Sequence, residues 1–197
     1  MRQCVLDAFP SWSEHYEGKT TFFYLDVKRL VTIGVGLLVD PCPLGLDFGG
    51  ASEREIASAW SVVKNDRTLD PRGGGGQYAR LTTIRMTEAG VAALVRKKML
   101  TDEAVLRTYL PNWDAAPAMA QLAAMSHSWA YGPHFPPKWP KWTACFCAGD
   151  YAGASAQDAP SAAEMAVQNA SFHARVAAEQ SLLANALQYD PDYLPPS

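Results

Sequence analysis

The sequence predicts an α+β fold that is mainly α, and three observations carry that expectation. Strand-type alternation is confined to Thr20–Val39, apolar residues recur at helical spacing through most of the chain beyond residue 50, and capping boxes mark helix starts at Ser52–Glu55 and Ser161–Glu164. A small N-terminal β-hairpin or sheet joined to a helical body follows from these patterns. At 197 residues the chain is long enough for a real core, as one domain or as two tightly packed lobes.

Taken in order, a first helix ends near Tyr16–Gly18, with Gly18 as its C-terminal cap. Phe22 and Tyr24, then Val31, Ile33 and Val35, alternate as strands about a turn at Asp26–Arg29. Ser52 caps a helix over about 53–65, in which Ile56, Ala59, Trp60 and Val63 share a face. Four glycines, Gly73–Gly76, come next. A phosphate cradle needs Lys and Ser/Thr at the end of such a run; here Gln77 and Tyr78 follow, so the stretch reads as a mobile loop.

Thr87 caps a long helix towards Tyr109, re-capped near Thr101, and Pro111 with Trp113 break it. From Ala115 to Tyr131 apolar residues occupy almost every side, the mark of a helix buried on most faces. His127 within it reads as a packed, hydrogen-bonded histidine rather than a catalytic one. GPHFPPKWPKW, Gly132–Trp142, reads either as a rigid connection whose tryptophans cover the core or as a wall on which sugar rings stack. Helical spacing resumes at Ser161 and continues through Phe172, Val176, Leu182, Leu183 and Leu187, before an extended tail.

Composition excludes several classes of function. An apolar share of 48% and a charged share of 19% describe an ordinary globular domain. The net charge of −3 leaves no electrostatic footprint for nucleic acid and argues against charge-driven adsorption to an anionic polymer, so such a polymer must be recognised locally, in a groove. No run approaches the ~20 apolar residues that span a bilayer. The N-terminus, MRQCVLDAFPSW, lacks the pattern of a signal peptide, so synthesis in the cytoplasm is expected. Cys4, Cys42, Cys145 and Cys147 are too few and scattered for a disulfide scaffold, and the Cys145/Cys147 pair lacks the partner motif of a metal site. Reduced thiols and no metal are expected.

The chemistry concentrates in HYEGKTTFFYLDVKRLVTIGVG, His15–Gly36. Glu17 falls at a helix C-terminus, where the macrodipole disfavours negative charge, and Tyr16, Phe22, Phe23 and Tyr24 are expected to desolvate it further. Asp26 falls at a hairpin tip, where water and backbone N–H groups keep it ionised. Two carboxyls in contrasting environments are what glycoside hydrolysis requires, one to protonate the leaving oxygen and one to activate water or stabilise an oxocarbenium-like transition state. Taken without context, the two acids could equally be unrelated surface charges.

The string E-G-x(5)-Y-x-D-x(5)-T-I-G-x-G, carried by Glu17, Gly18, Tyr24, Asp26, Thr32, Ile33, Gly34 and Gly36, resembles the signature of the phage-type lysozymes, endolysins of the muramidase class that cut peptidoglycan. The resemblance implies a two-lobed lysozyme-like fold, with an N-terminal lobe over about 1–86, an interlobe helix over about 87–109 and a helical lobe over about 110–197. It makes Glu17 the general acid, Asp26 the second carboxylate, and Thr32 a holder of the attacking water, with Tyr24 and Gly36 in the cleft.

Later segments resemble the family more loosely. TEAGVAALVRKKM is similar to the start of the interlobe helix. AQLAAMSHSWAYGP is similar to the buried helix ending in an Asn-x-Gly turn; Ala130 stands in place of the asparagine, and Trp129 is implied as a substrate-binding residue. NASFHARVAAEQSLL is similar to the terminal helix, which makes Arg175 a candidate partner for Glu17. The likeness fails between Asp40 and Arg85, where this chain inserts a capped helix and the tetraglycine run, and Leu37 replaces the family's histidine.

The resemblance further implies an inverting muramidase without metal or cofactor, acting as a monomer on peptidoglycan glycan strands in the periplasm or cell wall. Either a phage lysis protein or an antibacterial effector with a cognate immunity protein fits. Chitin or chitosan hydrolysis, and a lysozyme-like domain that binds glycan or protein without cutting, are the alternatives.

Overall fold

The computed structural model describes residues 1–160, 165–166 and 169–196; the capping box expected at Ser161–Glu164 lies outside them. The protein is α+β and mainly helical, with one three-stranded antiparallel sheet near the N-terminus. The chain divides into two compact units, one formed by Glu17–Arg96 and the other by Met1–Tyr16 with Lys97–Ser197.

In the unit Glu17–Arg96, helix α1 (Gln3–Glu17) delivers its last residue and stops at Gly18, whose φ of +69° admits the left-handed cap. Strand β1 (Thr20–Leu25) pairs with β2 (Val31–Gly34), with Tyr24 opposite Thr32 and Leu25 opposite Val31. The turn between them is closed by Asp26, whose N–H reaches the Leu30 carbonyl at 3.0 Å. Alternation sends Phe23, Leu25, Val31 and Ile33 into the core, leaving Phe22, Tyr24 and Thr32 on the other face.

The expected alternation through Val35 does not continue as one strand. Gly34 and Gly36, with φ of +64° and +77°, turn the chain back into a short β3 (Leu37–Leu38), which sets Thr32 opposite Leu38.

Helix α2 (Glu53–Asn65) carries the predicted capping box: Ser52 Oγ accepts from Glu55 N–H, and the Glu55 carboxylate accepts from Ser52 N–H at 2.8 Å. Ile56, Ala59 and Val63 are buried, while Trp60 Nε1 donates to the Val39 carbonyl at 2.8 Å. Lys64 pairs with Asp40 and donates to the Arg29 carbonyl at 3.3 Å, and Arg29 donates to the Asp66 carbonyl, so the C-terminal end of α2 is tied to the hairpin. The tetraglycine run, expected as a mobile loop, folds into two 3₁₀ turns, Pro71–Gly73 and Gly75–Arg80, pinned by the fully buried Tyr78.

Helix α3 (Glu88–Tyr109) starts at the predicted cap, Thr87 Oγ1 accepting from Gly90 N–H at 2.9 Å. It runs on without the expected second cap; Thr101 sits mid-helix and donates back to the Lys97 carbonyl at 2.9 Å. Val91 and Val95 are buried in the first unit, and Met99 and Leu106 in the second.

The other unit is built around α4 (Ala118–Tyr131), in which every residue from Ala118 to Ser128 is buried. Such a helix can exist only inside a shell, here supplied largely by α7 (Ala170–Asn185), with α5 (Pro140–Cys147) and α6 (Tyr151–Gln157) packed beside it. The proline-rich stretch is a rigid connection only as far as Trp139, because Pro140 occupies the first position of α5, where a missing N–H costs nothing. Trp142 and Phe135 are sealed in the core, each large apolar side chain contributing about 1.5–3 kcal/mol on burial. No helix among the described residues is long and apolar enough to cross a membrane.

Candidate active site

A cavity of about 550 Å³ in the unit Glu17–Arg96 is lined by Glu17, Phe22, Tyr24 and Asp26, with the backbone of Gly74–Gly76 opposite. Its size falls within the range of small-molecule sites, roughly 300–1,000 Å³. The structure thus brings together three of the predicted site residues, and local rules explain each placement. Glu17 is there because α1 ends on it, and Tyr24 because its parity in β1 is opposite to that of the core residues Phe23 and Leu25. Asp26 is there because the turn begins on it.

Asp26 is held by its own turn. Oδ1 accepts from Lys28 N–H at 2.9 Å and from Leu30 N–H at 2.8 Å, the arrangement anticipated from its place at a hairpin tip. Glu17 differs from expectation, because its side chain is exposed rather than enclosed by aromatics. Phe23, one of the residues expected to desolvate it, points into the core with no exposed surface. Gly36 lies behind Glu17 instead of on the cavity wall: a Cβ built there would stand 3.4 Å from Glu17 Oε2.

Tyr24 lies between the two acids electrostatically. Burial first, then the negative charges of Glu17 and Asp26, push its phenol up to about 12, so it remains a hydrogen-bond donor at any ordinary pH. Thr32, its partner across the ladder, is only 4% exposed and donates to the Leu30 carbonyl at 3.3 Å. It stands behind Tyr24 rather than among the lining residues.

Trp129 and Arg175 belong to the other unit. Trp129 meets Phe9 at 5.0 Å between ring centroids and carries Lys98 Nζ 4.9 Å from its own ring centroid. Arg175 is buried on α7, with Nε 3.9 Å from Glu179 Oε1 and its guanidinium over Phe172.

The same unit holds a cluster that the sequence did not disclose. His127, Asp158 and Glu179 are buried with ligand-type atoms within 4.8 Å of one another, the one such group among the described residues. His127 Nδ1 is 2.9 Å from Asp158 Oδ1 and 3.6 Å from Glu179 Oε2. Burial alone would push the imidazole down, but the two carboxylates more than reverse it and lift it to about 9. With His127 protonated, two cations balance two anions, Arg175 supplying the second positive charge. The histidine is buried, as expected of its position in an apolar helix, and it faces two carboxylates.

The contribution of the insert was also missed. Gly75 lies so close to Tyr24 that a Cβ added to it would stand 3.0 Å from the ring. Four successive glycines beside one buried tyrosine were the available signal, but nothing local to that run points to Tyr24. No protein-family model matches the chain, and no curated protein matches it.

Proposed function

We propose that the chain is a peptidoglycan hydrolase, a muramidase that cleaves the β-1,4 bond between N-acetylmuramic acid and N-acetylglucosamine. The observation that carries this reading is that Glu17, Tyr24 and Asp26 line one cavity, where both acids act on the Tyr24 phenol. Glu17 delivers a proton to the glycosidic oxygen as the bond breaks, and the sugar acquires oxocarbenium character. Asp26, oriented by two backbone N–H groups, takes the proton of the attacking water and stabilises the developing positive charge. The Tyr24 phenol donates to the saccharide, and Thr32, opposite it on the ladder, supports that ring. Direct attack by water inverts the anomeric centre, the outcome for carboxyl groups about 6.5–9.5 Å apart.

The chemistry draws on no metal or cofactor. Glycan strands are the substrate, the working form is a monomer, and an antibacterial role would bring a cognate inhibitor protein as partner. Glu17→Gln abolishes clearing of purified peptidoglycan while leaving the circular dichroism spectrum and melting temperature unchanged. Clearing at the wild-type rate by that variant refutes the assignment. Mass spectrometry of the products from peptidoglycan, chitin and chitosan identifies the polymer that is cut.

A further inference from the structure

We propose that the tetraglycine segment is the selectivity wall of the cleft, with Gly76 the position that lets a sugar carrying a bulky peptide substituent be seated. The proposal rests on the muramidase reading of the same cavity and adds the feature that would determine which saccharides it admits.

The wall is built rather than incidental. Asp70 caps its first turn by accepting from Arg72 N–H at 3.0 Å, and the Asp70 carbonyl accepts from Gly73 N–H at 2.9 Å and from the Gln77 side chain. Tyr78, with no exposed surface, anchors the second turn. Between these fixed points Gly74, Gly75 and Gly76 face the cavity that Glu17, Tyr24 and Asp26 line from the other side.

The three glycines do different things. Gly74, at φ +85°, adopts backbone that favours glycine. Gly75 lets the chain approach the Tyr24 ring closely, since a Cβ there would stand 3.0 Å from it and one of the two would have to give way. Gly76 has neither constraint: its φ is ordinary, and an added Cβ meets nothing within 4 Å. No neighbour within 4 Å demands glycine at 76, and the residue lines the cleft, so a side chain there has room to extend over it.

That space suits a substituent larger than a hydroxyl. Glycine backbone presents N–H and C=O groups unscreened by side chains, which complement the amide groups of an N-acetyl or peptide substituent. An unsubstituted N-acetylglucosamine strand needs less room at this wall than a muramyl residue bearing its stem peptide. The geometry therefore assigns Gly76 to discrimination between the two, with no part in bond cleavage.

The test is calorimetric binding in the Glu17→Gln background, which prevents turnover. The probes are a muropeptide tetrasaccharide from purified peptidoglycan and an N-acetylglucosamine tetramer. Adding Gly76→Leu weakens the muropeptide by about tenfold or more and leaves the tetramer within about twofold, the scale on which a pocket rejects extra bulk. An unchanged affinity for both ligands, or an equal loss for both, overturns the wall while leaving the hydrolase reading in place. Binding of neither ligand before the Gly76 change overturns both. If Gly76→Leu lowers the melting temperature, Gly76→Ala reads the same ordering at smaller amplitude.

Discussion

The cleft at Glu17 and the cluster at His127 use the same materials to opposite ends. Each brings two carboxyl groups and at least one aromatic ring to one place. In the cleft, Glu17 is exposed and Asp26 partly so, and the aromatic component, Tyr24, is half-buried against a wall of glycine backbone. In the cluster, Asp158 and Glu179 are each 1% exposed, and the rings of Tyr131, Phe135 and Trp139 stand 4.4–4.6 Å from the His127 ring. A buried pair of acids must be neutralised by fixed partners, and it then serves architecture. A pair left open to a cavity keeps its protons exchangeable, and it can do chemistry. Exposure, more than residue type, separates the two.

The contrast breaks most visibly at His127. His127→Leu leaves Asp158 and Glu179 buried in the core without the imidazolium that faces both, and costs about 3–5 kcal/mol by chemical denaturation. Residual folded protein retains its lysis rate per molecule. Loss of lysis without loss of stability would mean that the cluster belongs to the active site.

The next largest effect is on pH. The His127 imidazole rises from its ordinary 6.5 to about 9, so the folded state holds a proton that the unfolded chain has released between those values. The stabilisation is complete below about pH 6.5 and is lost as pH rises through about 9, a change of about 3 kcal/mol. Burial raises the Asp158 carboxyl despite His127 beside it, which acts in the same direction at lower pH. Denaturation midpoints measured from pH 6 to 10 should fall steadily in the wild type and stay flatter in His127→Gln. Parallel curves for the two proteins would remove the protonated histidine from the account.

In the cleft the corresponding change is Asp26→Asn. It preserves the turn, because an amide oxygen still accepts from Lys28 and Leu30 N–H, but removes the carboxylate proposed as the base. Lysis drops about a hundredfold with stability unchanged. A fully active Asp26→Asn protein contradicts the two-acid mechanism.

What the sequence discloses in these regions follows contact range. The hairpin, the Ser52 capping box and the Thr87 cap were legible because each is decided within a few residues. Helices α5 and α6 were not. Pro140 in a proline-rich run looks like loop until it is seen as a first-turn residue, and YAGASAQ lacks an apolar stripe to mark it. The partners of His127 lie on α7 and just beyond α6, and the glycine wall reaches Tyr24 from the far end of an insert; neither leaves a periodic trace. The exposure of Glu17 was misjudged for a related reason. Aromatic neighbours in sequence need not be neighbours in space, and strand parity sends Phe23 inward.

The smallest expected effect is the sharpest test of how the open site is tuned. Gly36 and Gly45 have nearly the same backbone, φ +77° and +75°, so alanine at either costs the same conformational penalty of about 1–2 kcal/mol. A Cβ at Gly45 meets nothing within 4 Å, whereas one at Gly36 stands 3.4 Å from Glu17 Oε2 and 3.7 Å from its Cδ. Both variants should lose equal stability, and Gly36→Ala alone should also lose lysis, by about fivefold or 1 kcal/mol of barrier, because its methyl packs at van der Waals distance on the Glu17 carboxylate and displaces water from it. Equal activities would show that Gly36 serves the turn and not the carboxylate. A deficit confined to Gly36→Ala would make the β2–β3 turn the backing of the catalytic acid, the open-site counterpart of the ring cage that fixes His127.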